Sequence, residues 1–228
     1  MSDNAKQYGE TEPSNLQGVS LMLPNGNTLL LPRYISGLLE KLEKSGYEAY
    51  VVGGCVRDAM LRRSPHDYDI CTNAAAEDVK QVFSEYRVLD TGIAHGTVTV
   101  LSEGNPVEIT TYRIDGDYKD HRRPDSVTFT DDISKDLARR DFTVNAMAVS
   151  LSLGFAEAKG GAEDIESGTI RCVGEPDIRF EEDALRILRA MRFAAGLGFK
   201  IEDNTVAAMK RHKNELVYVS AERIYSEL

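Results

Sequence analysis

The chain lacks tryptophan altogether and has only three cysteines and four histidines in 228 residues. Cys55, Cys71 and Cys172 show no C-x-x-C spacing, and His66, His95, His121 and His212 do not pair at metal-ligand intervals. Zinc is therefore not expected, and the thiols are expected to be reduced. Long apolar runs are missing too. The longest cover a few residues, far below the roughly 20 needed to cross a bilayer, so no membrane span is expected. The opening MSDNAKQYGETEPSNLQGVS carries mixed charge with Pro and Gly, and has neither the basic start nor the apolar run of a signal peptide. A weakly ordered arm is expected over residues 1–32, and the cytoplasm is the default setting. Positive charge is in deficit, with 27 Lys and Arg against 37 Asp and Glu and a net charge of −10. Such a balance argues against coating nucleic acid through the overall field. The deficit is uneven: residues 179–228 hold 9 basic against 8 acidic residues, leaving 18 against 29 in the rest.

What is present comes in two styles. Up to about Val173, β-rich runs such as Ala49–Val52, Thr97–Leu101 and Val107–Tyr112 alternate with helical stretches, and Ser102-Glu103-Gly104-Asn105-Pro106 makes a turn. The expectation is an α+β domain over 33–175 with a largely antiparallel or mixed sheet. From Glu181 the pattern turns helical. Ala184, Ile187, Leu188, Met191 and Ala195 form an apolar stripe that Gly196 and Gly198 interrupt. A second helix is expected over about Thr205–Lys213, and a third opens near Ser220, a good N-cap residue. The pattern stops inside that third helix without a C-cap, so the helical domain at 176–228 is expected to continue into further sequence.

Several clusters could carry chemistry. Ala49–Val52 followed by Gly53-Gly54 and a helix start reads as strand, turn and helix, which exposes backbone N–H groups and a helix dipole to an anion such as a triphosphate. A Gly pair there also serves as a simple tight turn, but Arg57 adds a fixed positive charge. Asp67 and Asp69 flank Tyr68; on a strand they would share one face about 7 Å apart. Two such carboxylates repel, and a pair of Mg²⁺ ions about 4 Å apart would neutralise them, activate a hydroxyl and steady a leaving pyrophosphate. A solvated strand edge is the plainer alternative. Glu108 sits mid-strand as a third candidate acid, or as a surface Glu on a half-buried strand. Arg139, Asp141 and Asn145 could hold phosphates and ribose hydroxyls, or Asp141 could cap a charged helix start. Glu182, Asp183, Arg186 and Arg189 share one polar helix face, either as a salt-bridged solvent face or as a donor and acceptor set matching a base edge.

In order, GGCVRD (53–58), DYD (67–69), GIAHGTVTV (92–100), EITTYR (108–113), RRDFTVNAM (139–147), VGEPDIRFEEDALRILRAMRF (173–193) and SAERIYSEL (220–228) resemble the class II tRNA nucleotidyltransferases of the polymerase-beta-type superfamily. The resemblance runs from about Tyr34 to Leu228. It implies a polymerase-beta-type nucleotidyltransferase head followed by an all-helical neck, and addition of CCA to the tRNA 3′ end from CTP and ATP with Mg²⁺. Asp67 and Asp69 would bind the metals, with Glu108 an auxiliary acid. Gly53, Gly54 and Arg57 would serve the triphosphate; Arg139, Asp141 and Asn145 the ribose and phosphates. Asp183 and Arg186 would read the base, Glu182 would orient them, and Arg189 would add a further contact. Arg113–Pro124 resembles the mobile loop of members that complete CCA, which disfavours a CC-adding relative. Poly(A) polymerases, A-adding enzymes and a degenerate nucleotide-binding module remain alternatives. Members of the family continue into body and tail domains that hold the tRNA.

Overall fold

The computed structural model describes residues 18–116, 118 and 124–228. A hairpin comes first, β1 (Val19–Met22) and β2 (Thr28–Leu31), joined by a turn whose Gly26 has φ +77°. It lies within the stretch expected to be an arm, and that expectation is corrected here. Leu29 and Leu31 alternate inward and are fully buried, so 18–31 belong to the folded domain. Residues 1–17 lie outside the described residues.

Helix α1 (Arg33–Lys44) buries Ile35, Leu38, Leu39 and Leu42, the i, i+3, i+4, i+7 stripe of an amphipathic helix. Then follow β3 (Ala49–Val52), α2 (Gly54–Met60), β4 (Asp69–Thr72), α3 (Ala76–Val82), β5 (Arg87–Gly92), β6 (Thr97–Ser102) and β7 (Asn105–Thr111). A short ribbon pairs β8 (Arg113–Asp115) with β9 (Val127–Phe129). After α4 (Ile133–Ala138) and one 3₁₀ turn at Thr143–Asn145 come β10 (Met147–Ser150), β11 (Gly154–Glu157), α5 (Gly161–Ser167) and β12 (Thr169–Ile170). Seven strands form one sheet in the order β11-β10-β3-β4-β7-β6-β5. Neighbours are antiparallel except β4 and β7, which run parallel, so the sheet is mixed as expected. All four residues of β3 are buried, as befits a central strand covered on both faces.

The remaining elements are α6 (Pro176–Glu182), α7 (Leu185–Leu197), β13 (Lys200–Ile201), α8 (Asp203–His212) and α9 (Ala221–Glu227). This part is not wholly helical, because Lys200 and Ile201 pair in parallel with Thr169 and Ile170 and tie the neck to the head. The helix expected from Glu181 is interrupted. Asp183 adopts φ −155° and ψ 103°, which ends α6 before α7 begins. The buried face of α7 is accordingly Leu185, Ile187, Ala190 and Phe193, whereas Met191 is 53% exposed and Ala195 is exposed. The predicted stripe is buried at Ala184 and Ile187 and half-buried at Leu188, and is displaced beyond them, since Phe193 rather than Met191 packs edge-on against Phe142 of the head at 5.9 Å. Ser220 precedes α9, but its side chain makes no capping bond.

All three cysteines are free and buried, and burial is the main cause that pushes the Cys55 and Cys172 thiols up to about 12. No helix among the described residues is long and apolar enough to cross a membrane. In the neck, His212 is nearly buried between Glu215 (Nδ1 to Oε1, 2.7 Å) and Asp177 (Nε2 to Oδ1, 2.9 Å). Burial alone would lower its pKa, but the bonds to Glu215 and Asp177 outweigh burial and raise it. A raised folded-state pKa means that the stabilisation is fully present below the unfolded value of about 6.5 and is lost as pH rises through the folded value. We expect the melting temperature of the wild type to fall relative to His212→Gln as pH rises from about 6.5 through the raised folded-state pKa of His212. Parallel melting curves for the two proteins over that range would refute this.

Candidate active site

The site is built around the start of β4. Asp69 is the first residue of the strand and pairs in register with Val52 of β3. Parallel pairing of Ile70 with Ile109 sets Asp69 beside Glu108 on β7. Asp67 lies before the strand, not on it, so the two-on-a-strand geometry expected from the sequence does not form. The carboxylates converge nonetheless: Asp67, Asp69 and Glu108 line one cavity of about 320 Å³ together with Tyr34, His66 and Tyr68. Enclosure in the cavity raises the Asp69 pKa. The charge of Glu108 raises it further, Arg140 opposes the rise, and Asp67 adds to it. No group of three or more His, Cys, Asp or Glu side chains among the described residues is placed to close around a metal ion. An open set of two carboxylates with an auxiliary acid suits Mg²⁺, which takes oxygen donors and commonly uses one or two carboxylates plus substrate phosphates.

Asp69 also borders a second, polar cleft of about 450 Å³ between head and neck. Gly53, with φ +83°, turns the chain from β3 into α2, and its N–H bonds the carbonyl of Met147 at 2.9 Å. That conformation suits glycine because it has no Cβ to clash. Gly53, Gly54 and Arg57 form one wall, and Arg139, Asp141 and Asn145 form the next. Arg57 donates to Asn145 Oδ1 at 2.6 Å and to Asp58 at 2.9 Å. The neck supplies Asp183, Arg186 and Arg189. Nine of the ten residues expected to bind nucleotide therefore line one cleft. Glu182 is the exception. It stands behind the wall, holding Arg179 at 2.7 Å and forming an ion pair with Arg186.

The polar face of the neck is salt-bridged, but it is not a solvent face. Arg189 donates to Asp141 at 2.8 Å and to Glu227 at 3.1 Å, and so joins head and neck. Asp183 accepts from the Leu185 N–H at 3.1 Å and receives Arg223 through both oxygens at 3.2 and 2.7 Å. Burial would raise the Asp141 pKa, yet the Arg189 guanidinium and the Phe142 N–H outweigh it and hold the carboxyl below its usual range. Phe193 sits beneath this cluster with Arg192, Arg57 and Arg189 at 4.3, 5.3 and 5.3 Å from its ring centre, close enough for cation–π attraction.

Four contributors were not singled out from sequence. Arg140 and Arg223 line the cleft, and Arg140 Nε is buried without a hydrogen-bond partner among the described residues. Arg140 stands next to Arg139 in the RRDFTVNAM motif and can be inferred from it; Arg223 lies in the SAERIYSEL motif, where nothing local marks it as a cleft residue. Phe193 read as core. Asp136, fully buried, gave no signal: it accepts from Arg139 Nε at 2.9 Å, from Arg140 at 3.2 Å and from the Arg113 N–H at 3.3 Å. Of the expected mobile loop, Arg113 pairs with Phe129 in the ribbon and the Tyr118 hydroxyl donates to Asp115 at 2.9 Å. Residues 117 and 119–123 lie outside the described residues.

Residues 49–171 match the family described as the poly A polymerase head domain, and 198–228 match one described as a probable RNA and SrmB-binding site of polymerase A. The CCA-adding enzyme of Lactobacillus helveticus is 49% identical over 190 residues, which is 83% of this chain and 47% of that protein. The crystal structure of the Bacillus stearothermophilus CCA-adding enzyme in complex with CTP superimposes with a TM-score of 0.78 at 40% identity, over 90% of this chain and 48% of that one. A tRNA nucleotidyltransferase complexed with a primer tRNA and an incoming ATP analog gives 0.67 at 28% identity, over 83% of this chain and 54% of that one. The chain spans about half the length of the relatives it matches. With the motif order, the mixed sheet and the head-domain match in agreement, the chain belongs to the poly A polymerase head-domain family, among the class II tRNA nucleotidyltransferases.

Proposed function

We propose that this chain is the catalytic half of a CCA-adding enzyme, with a nucleotidyltransferase head that includes the 18–31 hairpin and runs to about 175, and a nucleotide-selecting neck at 176–228. The observation that carries the reading is a single cleft in which an arginine-rich, glycine-turned wall faces a set of polar neck residues, with Asp69 at its edge. CTP or ATP would place its triphosphate against Gly53, Gly54, Arg57, Arg139 and Arg140. Asn145 and Asp141 would take the ribose, and Arg189 would steady the nucleotide from the neck. Mg²⁺ held by Asp67 and Asp69 would neutralise the phosphates and lower the pKa of the attacking hydroxyl. The primer 3′-hydroxyl gives up its proton to solvent, its oxygen forms a bond to the α-phosphorus while the bond to the bridging oxygen breaks, and pyrophosphate leaves with that electron pair. Arginines fixed by Asp136, Asn145 and Glu182 cost little reorganisation at that moment. The proposed setting is the cytoplasm.

Asp183 and Arg186 present a carboxylate and a guanidinium to the cleft, and these can match the donor and acceptor pattern of a cytosine or adenine edge without a template. Asp183→Asn and Arg186→Ala should raise incorporation of UTP and GTP relative to CTP and ATP by about tenfold, since one lost base-edge hydrogen bond is worth roughly 1–3 kcal/mol. An equal loss of rate for all four nucleotides would show that these residues only brace the neck. Descriptions of the matched families favour poly(A) addition as the second reading. Incubation with Mg²⁺, tRNA ending at the discriminator base and each labelled nucleotide decides between them. Addition of two C and one A supports the proposal; a long A tail supports the alternative.

A further inference from the structure

A cavity of about 600 Å³ lies outside the nucleotide cleft, between the β1–β2 hairpin and the segment that leads from α2 to β4. Its size falls within the roughly 300–1,000 Å³ typical of ligand sites. Arg33, Arg62 and Arg63 line it, and no Asp or Glu does, in a chain with ten more acidic than basic residues. None of the three arginines forms an ion pair with a carboxylate of the described residues. The walls are fixed in place. The Asn25 and Asn27 amides donate to the Met60 carbonyl at 2.9 and 2.7 Å, and Arg62, held at φ +57°, donates to Asn27 at 3.1 Å. Tyr68 belongs both to this cavity and to the acidic one that contains Asp67, Asp69 and Glu108. Tyr34 stands edge-on to Tyr68, 6.5 Å between ring centres.

In-line displacement brings the attacking hydroxyl to the side of the α-phosphorus opposite the leaving pyrophosphate. Asp69 lines both the cleft proposed for the triphosphate and the acidic cavity, and Tyr68 lines both the acidic cavity and the arginine cavity, so the three adjoin in that order. We propose that the arginine cavity is the entry site for the primer strand: Arg33, Arg62 and Arg63 pair with its backbone phosphates, while Tyr34 and Tyr68 give a stacking surface for its terminal bases. Aromatic stacking beside arginine-bound phosphates is the usual physics of single-stranded RNA ends. The inference rests on the reading under Proposed function for which side carries the triphosphate, but its test does not need chemistry.

The first measurement is equilibrium binding of a fluorescent acceptor-stem minihelix with an unpaired 3′ end, without nucleotide. The combined variant Arg33→Ala, Arg62→Ala and Arg63→Ala should bind at least about tenfold more weakly and show a salt slope smaller by about 2, as expected for three lost single-strand phosphate contacts. Its CTP affinity, read by fluorescence or calorimetry, should stay within about twofold of wild type, since none of these three arginines lines the cleft proposed for the nucleotide. The second is photocrosslinking from a 4-thiouridine at the minihelix 3′ end, with peptides mapped by mass spectrometry; crosslinks are expected on peptides bearing Tyr34 or Tyr68. Unchanged affinity and salt slope in the variant, or crosslinks confined to residues 176–228, would overturn the proposal. If the crosslinks fall as expected but no nucleotide is added to any RNA, the entry site stands and the CCA-adding reading fails instead.

Discussion

Asp69→Ala and Asp67→Ala should each lower nucleotide addition by about a thousandfold or more, equivalent to roughly 4 kcal/mol at the transition state, without weakening the fold. The dissociation of activity from stability follows from the environment of Asp69. Its carboxyl is partly enclosed, faces the charge of Glu108 and has its pKa raised as a result, so the folded protein gains nothing from its ionised form. Neither aspartate makes a core contact that alanine would forfeit, and thermal unfolding should be unchanged or shifted slightly upward. Asn at either position should be nearly as inactive, because an amide offers one neutral oxygen where a divalent ion requires charge. Glu108→Gln should cost less, about tenfold, because its carboxylate stands beside Asp69 without being a proposed metal ligand. Activity above about a tenth of wild type in Asp69→Ala at saturating Mg²⁺ would remove the assignment of the metal site.

A change in the opposite sense is expected at Asp136, where stability and substrate binding should fail together. This carboxylate is fully buried and accepts hydrogen bonds from both Arg139 and Arg140, two of the cleft guanidiniums proposed to hold the triphosphate. Asp136→Ala leaves Arg140 without an ion-pair partner among the described residues and Arg139 with only Asp115 at 3.6 Å, and breaking a buried pair costs about 3–5 kcal/mol. For a chain of this size that corresponds to a fall in melting temperature on the order of 10 °C. Asp136→Asn keeps the shape and one acceptor, so it should recover most of the stability yet still bind CTP more weakly, because Arg139 and Arg140 lose the charge that aims them. Titration with CTP followed by fluorescence checks the second half. Wild-type affinity in the Asn variant would mean that the arginines are positioned by packing alone, and that Asp136 serves only the fold.

Much of this site is legible in the sequence because its residues cluster in short motifs whose local structure is simple. Gly53-Gly54 after a short β-forming run gives the strand, turn and helix as read, and Arg139, Asp141 and Asn145 fall within seven consecutive residues. The exceptions come from long-range packing. Asp183 breaks a helix that propensity alone would continue, since Arg223, forty residues on, holds its carboxylate. Phe193 rather than the expected Met191 is buried because Phe142 of the head selects which side of α7 is covered, and periodicity within α7 cannot show that. Asp136 was invisible for the same reason: a lone Asp in a charged helix is normally solvated, and only the tertiary fold brings both arginines onto it. The hairpin at 19–31 is a different matter. Asn25-Gly26 between apolar segments is a strong turn signal, but three consecutive leucines conceal the alternation that places Leu29 and Leu31 inside and leaves Leu30 outside.

The placement of β3 at the middle of the sheet has a consequence for how the protein is made. One neighbour, β4, follows within twenty residues, but the other, β10, begins only at Met147. Translation at roughly 5–20 residues per second leaves an interval on the order of ten seconds in which β3, apolar on both faces, has an unpaired edge. Exposed apolar edges of this kind template association between chains. The nascent protein is therefore most prone to aggregate between the emergence of Val52 and that of Ser150, and slowing synthesis within that window should lower soluble yield more than slowing it afterwards.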